Sequence, residues 1–266
     1  MVRAVNSLLQ QPEINQIILV DDGSQDNSLE LCERFANEYP QIQVLRHEAG
    51  KNRGAPASRN LGLQHVSNQW VQFMDADDEL LPGKISDQVK LITDDIGLIV
   101  GKFKFPRNGT WQESLIIHDI WAGLITTRLG NTIANLWNVQ WVKKAGAWNP
   151  DLLNVQEYHL MFELLKINPN VAFSGQALTL VHPQKNSISN SGKNLNPKRD
   201  TYFKFRKAIR NHLKEKGIYT LKRQHYYNIT TGDMLRYHSP EFPVQHNKLY
   251  YIFYRGLKNL AKLKRS

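Results

Sequence analysis

Residues 16–24 read QIILVDDGS. Four consecutive aliphatic residues, Ile17 to Val20, run straight into Asp21-Asp22-Gly23-Ser24. The run is too short for a helix and rich in β-branched residues, so it predicts a buried parallel strand that stops abruptly in an acidic turn. Working outward, the segment before it, VRAVNSLLQQ at 2–11, carries Val2, Val5, Leu8 and Leu9 at helical spacing, and Pro12 ends it. After the turn, Asp26 or Ser28 caps a helix to about Tyr39, with Leu29, Cys32 and Phe35 on its apolar stripe. IQVLR at 42–46 is a second strand. A polar loop from His47 to about Pro56, a helix at 57–66 and a third strand, WVQFM at 70–74, follow. Pro82 opens another helix to about Thr93, and Ile96–Lys104 reads as a further strand. Alternating units of this length predict an α/β fold, a Rossmann-like, mostly parallel sheet flanked by helices. In such sheets ligands bind beyond the carboxyl ends of the strands. Both acidic groups, Asp21/Asp22 and Asp75/Asp77/Asp78, fall at those ends.

The rest of the chain is less regular. Residues 111–150 are rich in tryptophan, a helix is expected at Val155–Lys166, and a late strand or two at Val171–Leu180. A Ser/Asn/Gly loop at Ser187–Asn196 separates these from two basic helices, Tyr202–Lys216 and Asn247–Lys264. The expected division is a catalytic-type domain at 1–190 and a basic helical extension at 197–266.

Composition narrows the class. Of 266 residues, 41% are hydrophobic and 22% charged, as in a folded rather than a disordered protein. Cys32 is the one cysteine, which removes internal disulfides and cysteine zinc sites and suits a reducing cytosol. No apolar run reaches the roughly 20 residues of a membrane span, and the first residues lack a signal-peptide pattern; the expected location is cytoplasmic. The net charge of +10 is concentrated: from Pro197 onward there are 17 Lys/Arg against 4 Asp/Glu, and the remainder is slightly acidic. Such a tail suits an anionic membrane surface, an acidic saccharide, or simply a solvated helix face. The segment LYYIFYRGLKNLAKLKRS at 249–266 mixes aromatic and basic residues, and peripheral contact at the inner membrane face is expected from it. Nucleic acid is not an expected partner, because no reading-head motif accompanies the basic residues.

The chemistry concentrates in three places. Asp75-Ala76-Asp77 places two carboxylates two residues apart at a strand end, where they can converge on a hard cation such as Mn²⁺ or Mg²⁺. Asp22 can accept hydrogen bonds from a base or a ribose. Each pattern alone is also an ordinary acidic turn. Together with N-R-G-A-P-A-S-R-N-L-G at 52–62 and the run FMDADDELLP at 73–82, the chain resembles the family 2 glycosyltransferases, closely over residues 1 to about 92 and loosely over 130–166.

That resemblance implies a GT-A fold and an inverting transfer of sugar from a nucleotide-diphosphate donor, UDP- or GDP-linked, to a hydroxyl on a saccharide, lipid-linked or protein acceptor. Asp22 is similar to the residue that meets the donor base. Asp77 resembles the direct metal ligand, with Asp75 at the ribose and sharing the metal. Arg59 and Asn60 lie on the segment that shapes the donor pocket, by contact or by packing. Glu157 matches the general-base position, though Gln156 and His159 stand where the family has acids; it is also a Glu favoured at a helix start. His182 lies near a loop that meets phosphates in the family.

The family pattern also begins with a strand ahead of the first helix, whereas Met1 falls inside that helix. The expectation is a sheet lacking its central strand, with two unpaired edges, from a truncated gene model of an active enzyme. The alternative is a non-catalytic relative that binds sugar nucleotides.

Overall fold

The computed structural model describes residues 1–183, 195–235, 249 and 252–256. Most of the loop expected at Ser187–Asn196 and of the helix expected at Asn247–Lys264 lies outside these described residues. The chain divides into two units, Met1–Ile116 with Leu129–Ser189, and Ile117–Arg128 with Asn190–Ser266.

The first unit opens with α1 (Val2–Leu9), β1 (Ile17–Asp21), α2 (Ser28–Glu38) and β2 (Ile42–Arg46). β1 and β2 pair in parallel from Ile17↔Ile42 to Asp21↔Arg46. Val5 of α1, Ile17 and Ile42 form a small buried core, on which Leu8, Leu19, Phe35 and Tyr39 pack. α3 (Ala55–Gln64) then leads to β3 (Trp70–Val71), β4 (Glu79–Leu80), α4 (Lys84–Val89), β5 (Leu98–Val100) and the hairpin β6 (Lys104–Arg107) and β7 (Thr110–Glu113).

The second unit takes α5 (Ile120–Thr126) from the middle of the chain. The first unit resumes with β8 (Leu136–Asn138), α6 (Val139–Lys144), α7 (Gln156–Ile167), β9 (Val171–Phe173) and β10 (Thr179–Leu180). α8 (Leu195–Glu215) and α9 (Leu221–Leu235) complete the second unit.

The sheets are mixed. β1/β2, β5/β9 and β6/β10 are parallel. β8, from the tryptophan-rich stretch, enters antiparallel between β3 and β5. β4 joins β10 and β7 joins β6, both antiparallel. The main core lies under β5 and β8, where Leu98, Ile99, Val100, Trp137, Leu160 and Met161 are all but inaccessible. Phe73, Trp137 and Trp148 meet there at ring centroids 5.1 to 6.0 Å apart, separations at which aromatic pairs add to simple area burial.

One expectation changes. β1 is parallel as predicted, but only its end residues Ile17 and Asp21 are buried; Ile18, Leu19 and Val20 are half-exposed. The reason is that, among the described residues, β1 pairs on one side only. Its other edge, with Trp70–Met74, lines a cavity of about 800 Å³.

In the second unit, Phe203, Phe205, Ile209 and Leu213 of α8 are buried, as are Trp121, Leu124 and Ile125 of α5 and Tyr227 of α9. Arg206 Nε donates to the Ile125 carbonyl at 2.8 Å. No helix of the described residues is long and apolar enough to cross a membrane.

Candidate active site

Two turns at the carboxyl ends of β1 and of the β3 segment carry the carboxylates. After β1, Asp21 is buried and accepts the Ser24 N–H at 3.2 Å. Gly23 has φ +77°, and a Cβ there would lie 2.4 Å from the Gly50 carbonyl oxygen, so only glycine lets this turn press against the 50–52 loop. Asp22 fixes the same loop from the other side. Its two oxygens accept the backbone N–H groups of Arg53 at 2.7 Å and Gly54 at 2.9 Å, and His47 Nε2 lies 3.5 Å away. A carboxylate has about four lone-pair sites, so Asp22 keeps acceptor capacity.

That loop delivers α3, and α3 delivers Arg59 and Asn60. Asn60 pairs with the backbone of Trp148, donating to its carbonyl at 2.7 Å and accepting its N–H at 2.9 Å. The indole so fixed lies under Arg59, whose guanidinium sits 4.6 Å from the ring centroid. Arg59 Nη2 donates to Asp75 Oδ1 at 2.6 Å, and Nη1 to Gln156 Oε1 at 3.5 Å. Gln156 opens α7, and the next residue is Glu157. Residues distant in sequence, Asp75, Trp148 and Gln156, thus meet around the Arg59 guanidinium. Burial pushes the Glu157 carboxyl above its usual range; a backbone N–H bond and the charge of Arg59 oppose the shift, and the charge of Asp75 adds to it.

The second turn sorts its acids by environment. Asp75 lines the cavity, with its side chain 45% exposed. Asp77 receives the Arg3 guanidinium on its backbone carbonyl at 2.5 Å, and its carboxylate has no protein partner among the described residues. Asp78 is buried and accepts the His182 N–H at 2.9 Å. Burial raises its carboxyl to about 7 against that hydrogen bond, with the charges of Asp77 and Asp75 assisting. His182 is turned to Glu79, Nε2 to Oε2 3.1 Å, with the Trp111 ring edge-on at 5.3 Å. It therefore stands beside Asp78 and Glu79.

Among the described residues, no group of three or more His, Cys, Asp or Glu side chains converges on a metal position. The free Asp77 carboxylate and the second oxygen of Asp75 are nonetheless hard oxygen donors of the kind Mn²⁺ or Mg²⁺ takes alongside phosphate and water. The donor chemistry fits such an ion.

Two site contributors, and one buried lysine outside the cavity lining, were not legible in the sequence. Trp148 was one tryptophan among several, and only the Asn60 pairing singles it out. Gln156 read as a departure from the family's acids. Lys84 is buried, its ammonium donating to Gln72 Oε1, and burial drives it well below the normal lysine range. Its position after Pro82-Gly83 looked like a helix start, with nothing to mark it as buried.

The sequence pattern of the glycosyl transferase family 2 matches residues 1–146, more than half of the chain. The chain is 34% identical over 102 residues to the uncharacterized glycosyltransferase YibD of Escherichia coli K12, covering 37% of this chain and 29% of that protein. It is 26% identical over 179 residues to the Escherichia coli UDP-Glc:alpha-D-GlcNAc-diphosphoundecaprenol beta-1,3-glucosyltransferase WfgD, covering 62% and 64%. The matches thus span less than two thirds of these relatives. In fold it is similar to S. aureus TarS, solved with UDP-GlcNAc, at a TM-score of 0.68 and 14% identity over 89% of this chain and 69% of that one. It is also similar to the mannosyltransferase PcManGT of Pyrobaculum calidifontis, solved with GDP-Man and Mn²⁺, at 0.55 and 12% over 97% and 75%. With its GT-A-like α/β fold and a matching pattern over residues 1–146, this chain belongs to glycosyl transferase family 2.

Proposed function

We propose that the protein transfers a sugar from a nucleoside-diphosphate donor to an acceptor hydroxyl, with inversion. The observation that carries this reading is the meeting of Asp75 and Gln156 on the Arg59 guanidinium, with Glu157 the residue after Gln156 in α7. In it, the nucleotide lies along the β1 and β3 ends, with Asp22 toward the base and Asp75 toward the ribose. Asp77, with Asp75, would hold Mn²⁺ or Mg²⁺, whose charge offsets that of the departing diphosphate. Arg59 keeps Asp75 in place, Asn60 keeps Trp148 under Arg59, and His182 borders the phosphates.

Glu157 takes the proton of the acceptor hydroxyl. The oxygen attacks the anomeric carbon, the bond to the diphosphate breaks, and the configuration inverts in one displacement. A raised carboxyl suits a base that must work near neutral pH. The relatives' donors and acceptors support UDP- or GDP-linked sugars and a saccharide or lipid-linked acceptor; protein is the remaining acceptor class. Peripheral contact with an anionic membrane belongs to the same reading, since it would bring the site to a lipid-linked acceptor.

A second reading, a sugar-nucleotide binder without turnover, draws on one observation: the cavity between β1 and β3 opens beside Asp22 and Asp75. Calorimetric titration with UDP and with GDP, with and without Mn²⁺, tests the donor site. Binding of one nucleotide, strengthened by Mn²⁺ and weakened by Asp77→Asn, is expected; no binding of either rejects the transferase reading. Release of sugar or its transfer then separates enzyme from binder.

A further inference from the structure

Of the six tryptophans, Trp111 alone is exposed, with 47% of its surface open; the others are buried or half-buried. A single exposed indole needs no explanation by itself. Its mounting and its neighbours are what point to a ligand. Trp111 stands on β7, opposite Pro106 of β6. Asn108 (φ 51°) and Gly109 (φ 76°) form the two-residue turn between Arg107 and Thr110, and positive φ at both positions matches the twist of a hairpin. At the base of the hairpin, Ser114 N–H donates to the Phe103 carbonyl at 2.8 Å, and Phe103 N–H donates to Ser114 Oγ at 3.0 Å. Turn and base fix the register, and with it the place of the indole.

A row of polar groups leads from the Asp75–Asp77 turn to this ring. Arg3 donates to the Asp77 carbonyl at 2.5 Å and lies 3.7 Å from Glu79 Oε2. His182 Nε2 meets the same Glu79 oxygen at 3.1 Å. The His182 ring stands edge-on to the Trp111 indole, with centroids 5.3 Å apart and planes at 82°. The side chains of Arg3, Glu79 and His182 are 51%, 28% and 20% exposed, so each keeps a face to solvent. The guanidinium offers several N–H donors, and the carboxylate has more acceptor sites than its two neighbours use. This row leaves the turn at Asp77, whereas Arg59 is bound to Asp75.

We infer that Trp111 is a stacking platform for a sugar ring of the acceptor, whose hydroxyls meet Glu79 and Arg3. The inference rests on the transferase reading above and names the residue that holds the acceptor in it. A pyranose has a face of C–H groups and a rim of hydroxyls. The electron-rich face of an indole takes the first. A carboxylate beside a guanidinium takes the second, one accepting and the other donating. A lipid chain would cover the indole but leave the Glu79–Arg3 pair without a partner, and a phosphate would meet the charge of Glu79. In the transferase reading the donor base lies toward Asp22, after β1, and β1 and β7 belong to different sheets. The donor's own sugar stays beside the diphosphate, where the bond breaks. The ring on Trp111 is therefore a unit of the acceptor.

The test is fluorine NMR of the full chain labelled with 5-fluorotryptophan, with UDP or GDP and Mn²⁺ present. The Trp111 signal is the one lost in Trp111→Phe. Cellobiose, lactose and N,N′-diacetylchitobiose are titrated in turn, and saturation transfer to the sugar protons reads binding in the variants. At least one disaccharide is expected to move the Trp111 signal saturably and to leave those of the buried Trp137 and Trp148 in place. Glu79→Gln should weaken that binding about fivefold, and Trp111→Ala should abolish it with UDP affinity unchanged. No shift with any of the three while a nucleotide binds overturns the platform and leaves the transferase reading standing. Equal saccharide binding by Trp111→Ala also overturns it. So does weaker binding of UDP-glucose or UDP-N-acetylglucosamine by that variant with UDP binding unchanged, which places the ring at the donor sugar. If neither nucleotide binds, the transferase reading falls, and the acceptor role with it.

Discussion

At the residue scale, neighbouring acids are given different work by their surroundings. Asp77 keeps an uncommitted carboxylate, Asp75 is bound to Arg59, and Asp78 is buried. Asp78 is raised to about 7 by its burial. A carboxyl raised on folding binds its proton more tightly in the native state, so its stabilising effect is full below about pH 4 and is lost as pH climbs through about 7. Asp78→Asn is therefore expected to flatten the fall in melting temperature between about pH 4 and 7; an unchanged slope would assign the fall to other groups. Glu157→Gln removes the proton acceptor but keeps the shape, so transfer should drop by about 10²- to 10⁴-fold while nucleotide affinity holds. Loss of nucleotide binding in that variant would make Glu157 a structural residue instead. The acids themselves were legible as motifs. Their different environments were not, because the partner that Asp78 takes, the His182 N–H, lies more than a hundred residues away in the chain.

At the scale of elements, the alternating pattern through residue 74 gave α1 to α3 and the parallel β1/β2 pair within a residue or two. The tryptophan-rich stretch was harder to assign, because its apolar residues serve different elements in turn. It supplies β8 to the sheet and α5 to the second unit. α5 is held by a device visible only in three dimensions. Asp119 caps it by accepting the N–H groups of Trp121 and Ala122 at 3.1 Å. Arg223 of α9 bonds both oxygens of the same carboxylate at 3.1 Å. Removing a cap costs about 1 kcal/mol, and leaving Arg223 half-buried without its partner adds to that. Asp119→Ala is thus expected to destabilise by about 1–3 kcal/mol in chemical denaturation. Asp119→Asn, which can still cap, should lose less; equal losses would remove the cap from the account.

At the scale of the whole molecule, charge is the feature that sequence and structure share. In the second unit, Lys204, Lys207, Lys214, Lys216 and Lys222 are exposed, and so are Leu221, at 85%, and Phe253, at 65%. Basic and apolar side chains presented together suit an anionic interface. Sedimentation with vesicles containing phosphatidylserine should carry the protein down at low salt and release it at high salt, whereas equal recovery with neutral vesicles would exclude this contact. The sequence by itself determined the α/β class, the acidic strand ends and the family resemblance. Those follow from local periodicity and from short motifs whose residues are neighbours in the chain. Only the tertiary structure decided which of these residues meet. Arg59, Asp75, Gln156 and Trp148 are brought together by α3, a strand end and α7, and the open edge of β1 is set by what it does not pair with. Such contacts rest on packing and pairing between distant segments, which the order of residues along the chain does not encode locally.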